Sequence, residues 1–206
     1  LGMEKKKALE ILKFNNYDIR YVDKSLKKNK EVVLEAVKKN SDALESAHIS
    51  LKKDKEVVLE AVKHSGLALR YAHSSMKKNR EVVFAAIKQN AFALSHAHIS
   101  LRKNKEVVLE AVQQEGSAFA YAHSNLKKDK EIILKAVQSK EPIFDEIGLL
   151  VHADSSLKKD KEVVLAVVKK HGFDLEYADD SLKKDKEVVL AAVHFREGNG
   201  FMALKY

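Results

Sequence analysis

Ser50-Leu51-Lys52-Lys53-Asp54-Lys55-Glu56-Val57-Val58-Leu59-Glu60-Ala61-Val62 is one copy of a segment that recurs seven times along the chain. With its glutamate as marker, the copies stand at Glu31, Glu56, Glu81, Glu106, Glu131, Glu162 and Glu187. The markers are 25 residues apart, except between Glu131 and Glu162, where the gap is 31. A fixed period of this size marks a solenoid, in which each unit buries its apolar face against its neighbours. The sequence therefore reads as one helical-repeat array over residues 3–206, of about seven units, with six extra residues within 138–151.

Inside the quoted copy, Asp54 is placed to cap a helix N-terminus, and Asn or Asp fills that column in all seven copies. At 100° per residue, Val57, Val58, Leu59, Ala61 and Val62 cover an arc of about 200°. That is wider than a surface helix needs and fits one sandwiched between a partner and the adjacent repeats. Gly66 is read as ending the helix. A second helix is expected from Leu67, with Leu69, Ala72 and Met76 at helical spacing. Two short helices in 25 residues is compact, and some 3₁₀ character is expected in the second. The fold class is all-α, an α-solenoid of about seven two-helix repeats.

The ends depart from the pattern. Residues 3–15 align with a first helix whose front half is degenerate, and read as a cap or divergent unit. Residues 200–206 resemble the opening of another second helix, partway through a unit, so a piece of a longer protein is expected.

The segment Lys186-Glu187-Val188-Val189-Leu190-Ala191-Ala192-Val193, with the following helix-ending residues and small-apolar-Leu-x-Tyr-Ala stretch of the best copies, carries a resemblance. Residues 55–72, 80–97 and 161–178 resemble a family of short bacterial helical repeats known only as a domain of unknown function. The pattern is also similar, more loosely, to the leucine-rich-variant and HEAT classes of α-solenoid. The resemblance implies a right-handed superhelical stack used for binding, and brings no catalytic residues with it. Some members of that family occur in proteins that pathogens deliver into host cells.

Composition narrows the chemistry. There is no cysteine, which removes disulfides, thiolate nucleophiles and zinc–thiolate sites and suits a cytoplasmic setting. No stretch approaches the roughly 20 apolar residues of a membrane span. Net charge is +8, and its distribution is uneven: three columns of the repeated turn hold 21 of the 38 basic residues. With their neighbouring acids these turns carry +10, and the remainder of the chain −2. The candidate anion ridge is thus Lys52, Lys53 and Lys55, then Lys77, Lys78 and Arg80, then Arg102, Lys103 and Lys105. The third cation of each set falls at a helix N-terminus, where the macrodipole disfavours it. That site would suit a phosphate or carboxylate, or the turns are simply solvated. No aromatic residue interleaves the turns, which weighs against single-stranded nucleic acid.

Other columns imitate active sites. His48, His73, His98 and His123 stand in register, with Asp23, Asp154 and Asp179 in the same position. Solenoid layers lie about 10 Å apart, too far for histidines of successive layers to share a metal with donors about 2 Å away. A hydrogen-bonding role near the second helix's C-terminus is expected. The serines at 25, 50, 75, 100, 156 and 181 read as turn caps, because a hydrolase needs one strained nucleophile, not six equivalent ones. Tyr21, Tyr71, Tyr121 and Tyr177 occupy mostly alternate units, suggesting a 50-residue duplication, with rings laid over the neighbouring layer. In the insertion, Pro142 suits a helix start, and Ile143 and Phe144 are the candidate partner anchor.

The expectation is a non-enzymatic scaffold that binds protein, with no cofactor, metal or catalytic residue assigned. The alternative is an anion-binding surface for nucleic acid or an acidic membrane.

Overall fold

The computed structural model describes residues 2–14, 19–140 and 148–198, and packing groups the chain into two compact units, Leu1–Leu101 and Arg102–Tyr206. Among the described residues there are helices and no strand. Ile143 and Phe144, the expected helix start at Pro142, and residues 200–206 lie outside this set.

Each repeat begins with a ten-residue α-helix or a close variant of one. Asp54 Oδ1 accepts the backbone N–H of Glu56 at 3.0 Å and of Val57 at 3.2 Å, starting the helix Lys55–His64. Asp129 and Asp185 likewise accept two N–H groups, and Asn29, Asn79, Asn104 and Asp160 each accept the N–H three residues on, starting their own helices. The expected cap thus holds in all seven copies. In Lys55–His64, Val57, Val58, Ala61 and Val62 are all 0% exposed. Such burial follows from stacking: Lys30–Lys39, Lys55–His64 and Arg80–Gln89 pack successively in the first unit. In the second, Lys105–Gln114, Lys130–Val137, Lys161–Val168 and Lys186–Gly198 do likewise. At roughly 1.5–3 kcal/mol for each large side chain buried, these rows supply the main driving force. The divergent N-terminal segment forms a helix, Gly2–Phe14, with Ala8 and Leu12 buried, that packs against Lys30–Lys39.

The second half of the repeat differs from one continuous helix. Gly66–Tyr71 is a six-residue 3₁₀-helix, followed by extended Ala72 and then a separate single turn, Ser74–Lys77. The same division recurs in Ser41–Ser46 with Ile49–Lys52, and in Ala91–His96 with Ile99–Arg102. With three residues per 3₁₀ turn, Gly66, Leu69 and Ala72 line up on one buried face. Ten α-helical residues span about 15 Å and six 3₁₀ residues about 12 Å. The two can therefore lie side by side and close a layer within 25 residues.

Gly66 is needed for space and not to end the helix. The helix already stops at Ser65, whose backbone is extended (φ −146°, ψ 113°). A Cβ on Gly66 would strike the carbonyl oxygen of Ala86 in the next layer. Its N–H donates to Gln89 Oε1 of that layer at 2.6 Å.

A backbone rung also joins successive layers. His73 N–H donates to the Lys52 carbonyl at 3.0 Å, and His98 N–H to the Lys77 carbonyl at 3.0 Å. In the second unit, His123, Asp154 and Asp179 bond the carbonyls of Arg102, Lys127 and Lys158, each at 3.0 Å. The one-turn helices therefore stand head to tail, the last carbonyl of one receiving the cap N–H of the next.

Candidate functional site at the basic turns

The three basic columns of the turn meet three different fates. The third lysine, at the first helical position, is an inter-layer clamp. Lys105 Nζ sits 2.7 Å from Asp129 and 2.8 Å from Glu131, the cap and second helical residue of the following repeat. Lys30 repeats this with Asp54 and Glu56, Lys130 with Asp160 and Glu162, and Lys161 with Asp185 and Glu187. Lys55 reaches Glu81 at 2.5 Å, and Lys5 pairs with Glu31. These hydrogen bonds, first to the aspartate and then to the glutamate, raise the pKa of Lys30, Lys105, Lys130 and Lys161. The cation at a helix N-terminus answers carboxylates of the next helix, so Lys55 and Lys105 are committed within the protein. Arg80, in the same column, lays its guanidinium 5.1 Å from the Phe84 ring centroid.

The first basic residue of the turn is half-buried in every repeat but the last, where Lys183 is exposed and pairs with Asp180 at 3.2 Å. Lys77 Nζ donates to the Arg70 carbonyl at 2.7 Å, and Lys27 Nζ to the Arg20 carbonyl at 2.9 Å. Burial lowers the Lys77 pKa, and burial with the nearby Arg102 guanidinium lowers that of Lys127. His96 is also held below its ordinary value, by burial first and then by Lys77 and Arg70. Lys52 is half-buried, and Arg102 is half-buried with its Nε unpartnered among the described residues.

The second lysine is exposed in every repeat, and among the described residues it is paired only at Lys159, 4.0 Å from Asp179. Lys28, Lys53 and Lys78 in the first unit, and Lys103 and Lys128 in the second, are exposed without an ion pair among the described residues. The nine candidate cations therefore reduce to one exposed, unpaired lysine per turn, Lys53 and Lys78 in the first unit and Lys103 in the second.

The histidine and serine columns form small caps. His73 Nδ1 accepts the Ser75 N–H at 3.2 Å and lies 2.9 Å from Ser75 Oγ. His48 and His98 hold Ser50 and Ser100 in the same way. Where Asp replaces His, its Oδ1 accepts the same N–H, as Asp154 does from Ser156 at 3.0 Å and Asp179 from Ser181 at 3.1 Å. The histidine thus begins the one-turn helix instead of closing the second helix. The serine, expected as the cap, is the partner of the cap. Among the described residues no group of three His, Asp or Glu is arranged to hold a metal ion. In the tyrosine column, Tyr71 carries the Arg70 guanidinium 4.4 Å from its ring centroid, and Arg70 also reaches Asp42 at 3.4 Å.

The residue that the sequence reading missed is Asp174. It is 0% exposed, and its carboxylate accepts the N–H groups of Leu149 at 3.1 Å and Leu150 at 2.7 Å. His171 Nδ1 lies 3.1 Å from it. These amides belong to the segment that returns from the six-residue insertion. There Gly148 takes a left-handed backbone (φ 72°), and a Cβ on it would collide with the Asp174 carboxylate. Corresponding positions hold Ala43, Ala68, Ala93 and Ala118, all buried. An Asp after four alanines and Leu149 in the same column, one repeat after the insertion, was the available signal.

The last described repeat carries an apolar cleft of about 350 Å³, lined by Phe173, Leu175, Ala192 and Val193 together with Glu176 and Lys183. No helix among the described residues is long and apolar enough to cross a membrane.

Stacked layers joined by capped turns and inter-layer clamps define the chain as an all-α repeat solenoid. It belongs to the family described as a domain of unknown function, DUF4116, which matches four times, over residues 5–52, 54–102, 104–158 and 160–206. Each match spans two of the 25-residue periods, and the longer third one contains the insertion. No curated protein and no solved structure matches the chain.

Proposed function

We propose that the chain is a non-enzymatic scaffold for protein–protein interaction. The observation that carries this reading is the sorting of columns between seam and surface. Columns that pack are nearly uniform, as in Val57, Val58, Ala61 and Val62 against Val107, Val108, Ala111 and Val112. Apart from the constant lysine and glutamate of the turn, outer columns change from layer to layer: exposed Lys24, Ile49, Ser74 and Ile99 in one, exposed Asp42 with half-buried Leu67 and Phe92 in another. Ile49 and Ile99, 49% and 43% exposed, put aliphatic side chains in water at a 50-residue interval. The repeated histidines and serines are engaged in caps, which supports binding over catalysis.

The free lysines give an anion-binding surface some support as the second reading. The pairing of the third lysine column counts against it, because it removes a third of the ridge's charge from any external phosphate.

A peptide array probed with the full chain at 150 mM salt separates the two. The scaffold reading expects selective peptide spots that a 20-nucleotide DNA or phosphatidylserine vesicles do not displace, and that weaken with Ile49→Ser and Ile99→Ser. Binding only to DNA or vesicles, falling steeply with salt, would overturn it.

A further inference from the structure

We infer that the first unit binds an extended acidic peptide with a carboxylate at every third residue, seated along Lys28, Lys53 and Lys78. This deepens the scaffold reading and rests on it. The three lysines occupy the same position in successive layers, and all are exposed and unpaired among the described residues. The acids nearest in the repeated turn are answered from within, Asp54 and Glu56 by Lys30 and Glu81 by Lys55. The turns of Lys28 and Lys78 each carry three cations against one acid, that of Lys53 three against two. The file is therefore cationic, and its counter-charge is not supplied by its own turn.

Spacing selects the partner. The lysines repeat with the column of one-turn helices, in which a 3.0 Å hydrogen bond alternates with a helical segment such as Ser74–Lys77. Four residues at about 1.5 Å rise add about 6 Å, giving a layer repeat near 9 Å, in line with the 8–10 Å of packed helices. A polyproline II chain has three residues per turn and rises about 3.1 Å per residue, so every third side chain returns to one face after about 9.3 Å. Its carboxylates stay in step with the lysines across all three layers. A β-strand turns alternate side chains to opposite faces and loses step. An α-helix needs a seat about 10 Å wide, and this file is a single side chain across. A nucleic acid strand presents a charge about every 3.4 Å along a duplex, nearly three for each free lysine, and the turns offer no aromatic for stacking.

Fluorescence anisotropy of the full chain with labelled Glu-Pro-Pro-Glu-Pro-Pro-Glu tests this, beside the isomer Glu-Glu-Pro-Pro-Pro-Pro-Glu and a single-stranded DNA of equal charge, all at 50 mM salt. The expected result is binding of the period-three peptide about fivefold or more tighter than either comparison, weakened at least fivefold by Lys53→Glu or Lys78→Glu. Lys53→Gln and Lys78→Gln, which add no repulsion, should weaken it in the same order to a smaller degree, and they stand in should a glutamate variant fail to give the parent circular dichroism. Equal binding of the isomer, tighter binding of the DNA, no binding of any of them, or indifference to the lysine variants would each overturn the inference. If array peptides still bind the Lys53→Glu variant, the scaffold reading stands without this partner.

Discussion

At the scale of single residues, one position accepts two different side chains because both supply the same lone pair. His73 Nδ1 and Asp154 Oδ1 each accept the N–H two residues on, at 3.2 and 3.0 Å. His73→Ala should therefore cost about 1 kcal/mol, the usual loss of an N-cap, while His73→Asp should keep the parent stability to within a few tenths. Urea unfolding of the two variants checks this. Equal losses would show that the ring matters for its packing and not as a cap. Position and residue type were legible in the sequence, since His and Asp share a column. Which helix they cap was not, because the break at Ala72 comes from the chain's return around the layer.

At the scale of elements, the insertion and the repeat after it are tied by one carboxylate. Asp174→Ala would leave the buried N–H groups of Leu149 and Leu150 without an acceptor, at 1–3 kcal/mol for each unsatisfied group. A loss of about 3 kcal/mol is expected, with Asp174→Asn, which retains one acceptor oxygen, losing less. Thermal unfolding of both variants decides it, and a loss under 1 kcal/mol for the alanine would mean that the segment finds other acceptors. The elements themselves were partly readable. The long helices and their caps follow from local rules, an Asn or Asp before a ten-residue apolar pattern. The 3₁₀ segments were also written in the sequence, as the three-residue spacing of Gly66, Leu69 and Ala72. An α-helical template pairs Leu69 with Ala72 and Met76 equally well, so spacing alone did not decide between them. The clamp role of Lys55 and Lys105 was hidden because their partners lie a full repeat away, and only stacking brings them within 3 Å.

Across the whole molecule, the clamps make stability depend on pH in a definite direction. The Asp160 carboxyl is held below its ordinary value by the hydrogen bond from Lys130, and Asp185 by that from Lys161. For Asp54, burial pushes upward but is outweighed by Lys30 and the cap N–H groups. A folded-state value below the unfolded one gives stability that is complete above the unfolded value, near 3.9. It is lost as pH falls through that value toward the lower folded one. The melting temperature should therefore drop increasingly below about pH 4, and drop less in a Lys130→Met, Lys161→Met double variant, where the aspartates keep only their cap bonds. Identical acid profiles would exclude the clamps as the cause.

The column of one-turn helices has a direction. A cap N–H in each layer needs the carbonyl of the layer before it, whereas the ammonium of each clamp needs the carboxylates of the layer after it. Within each unit, then, a repeat emerging from synthesis meets an acceptor already in place, and offers a cation to a successor not yet made. Growth from the N-terminal side is templated by backbone and sealed afterwards by charge. A four-residue turn, far too short to persist alone in water, forms only as an addition to a finished edge.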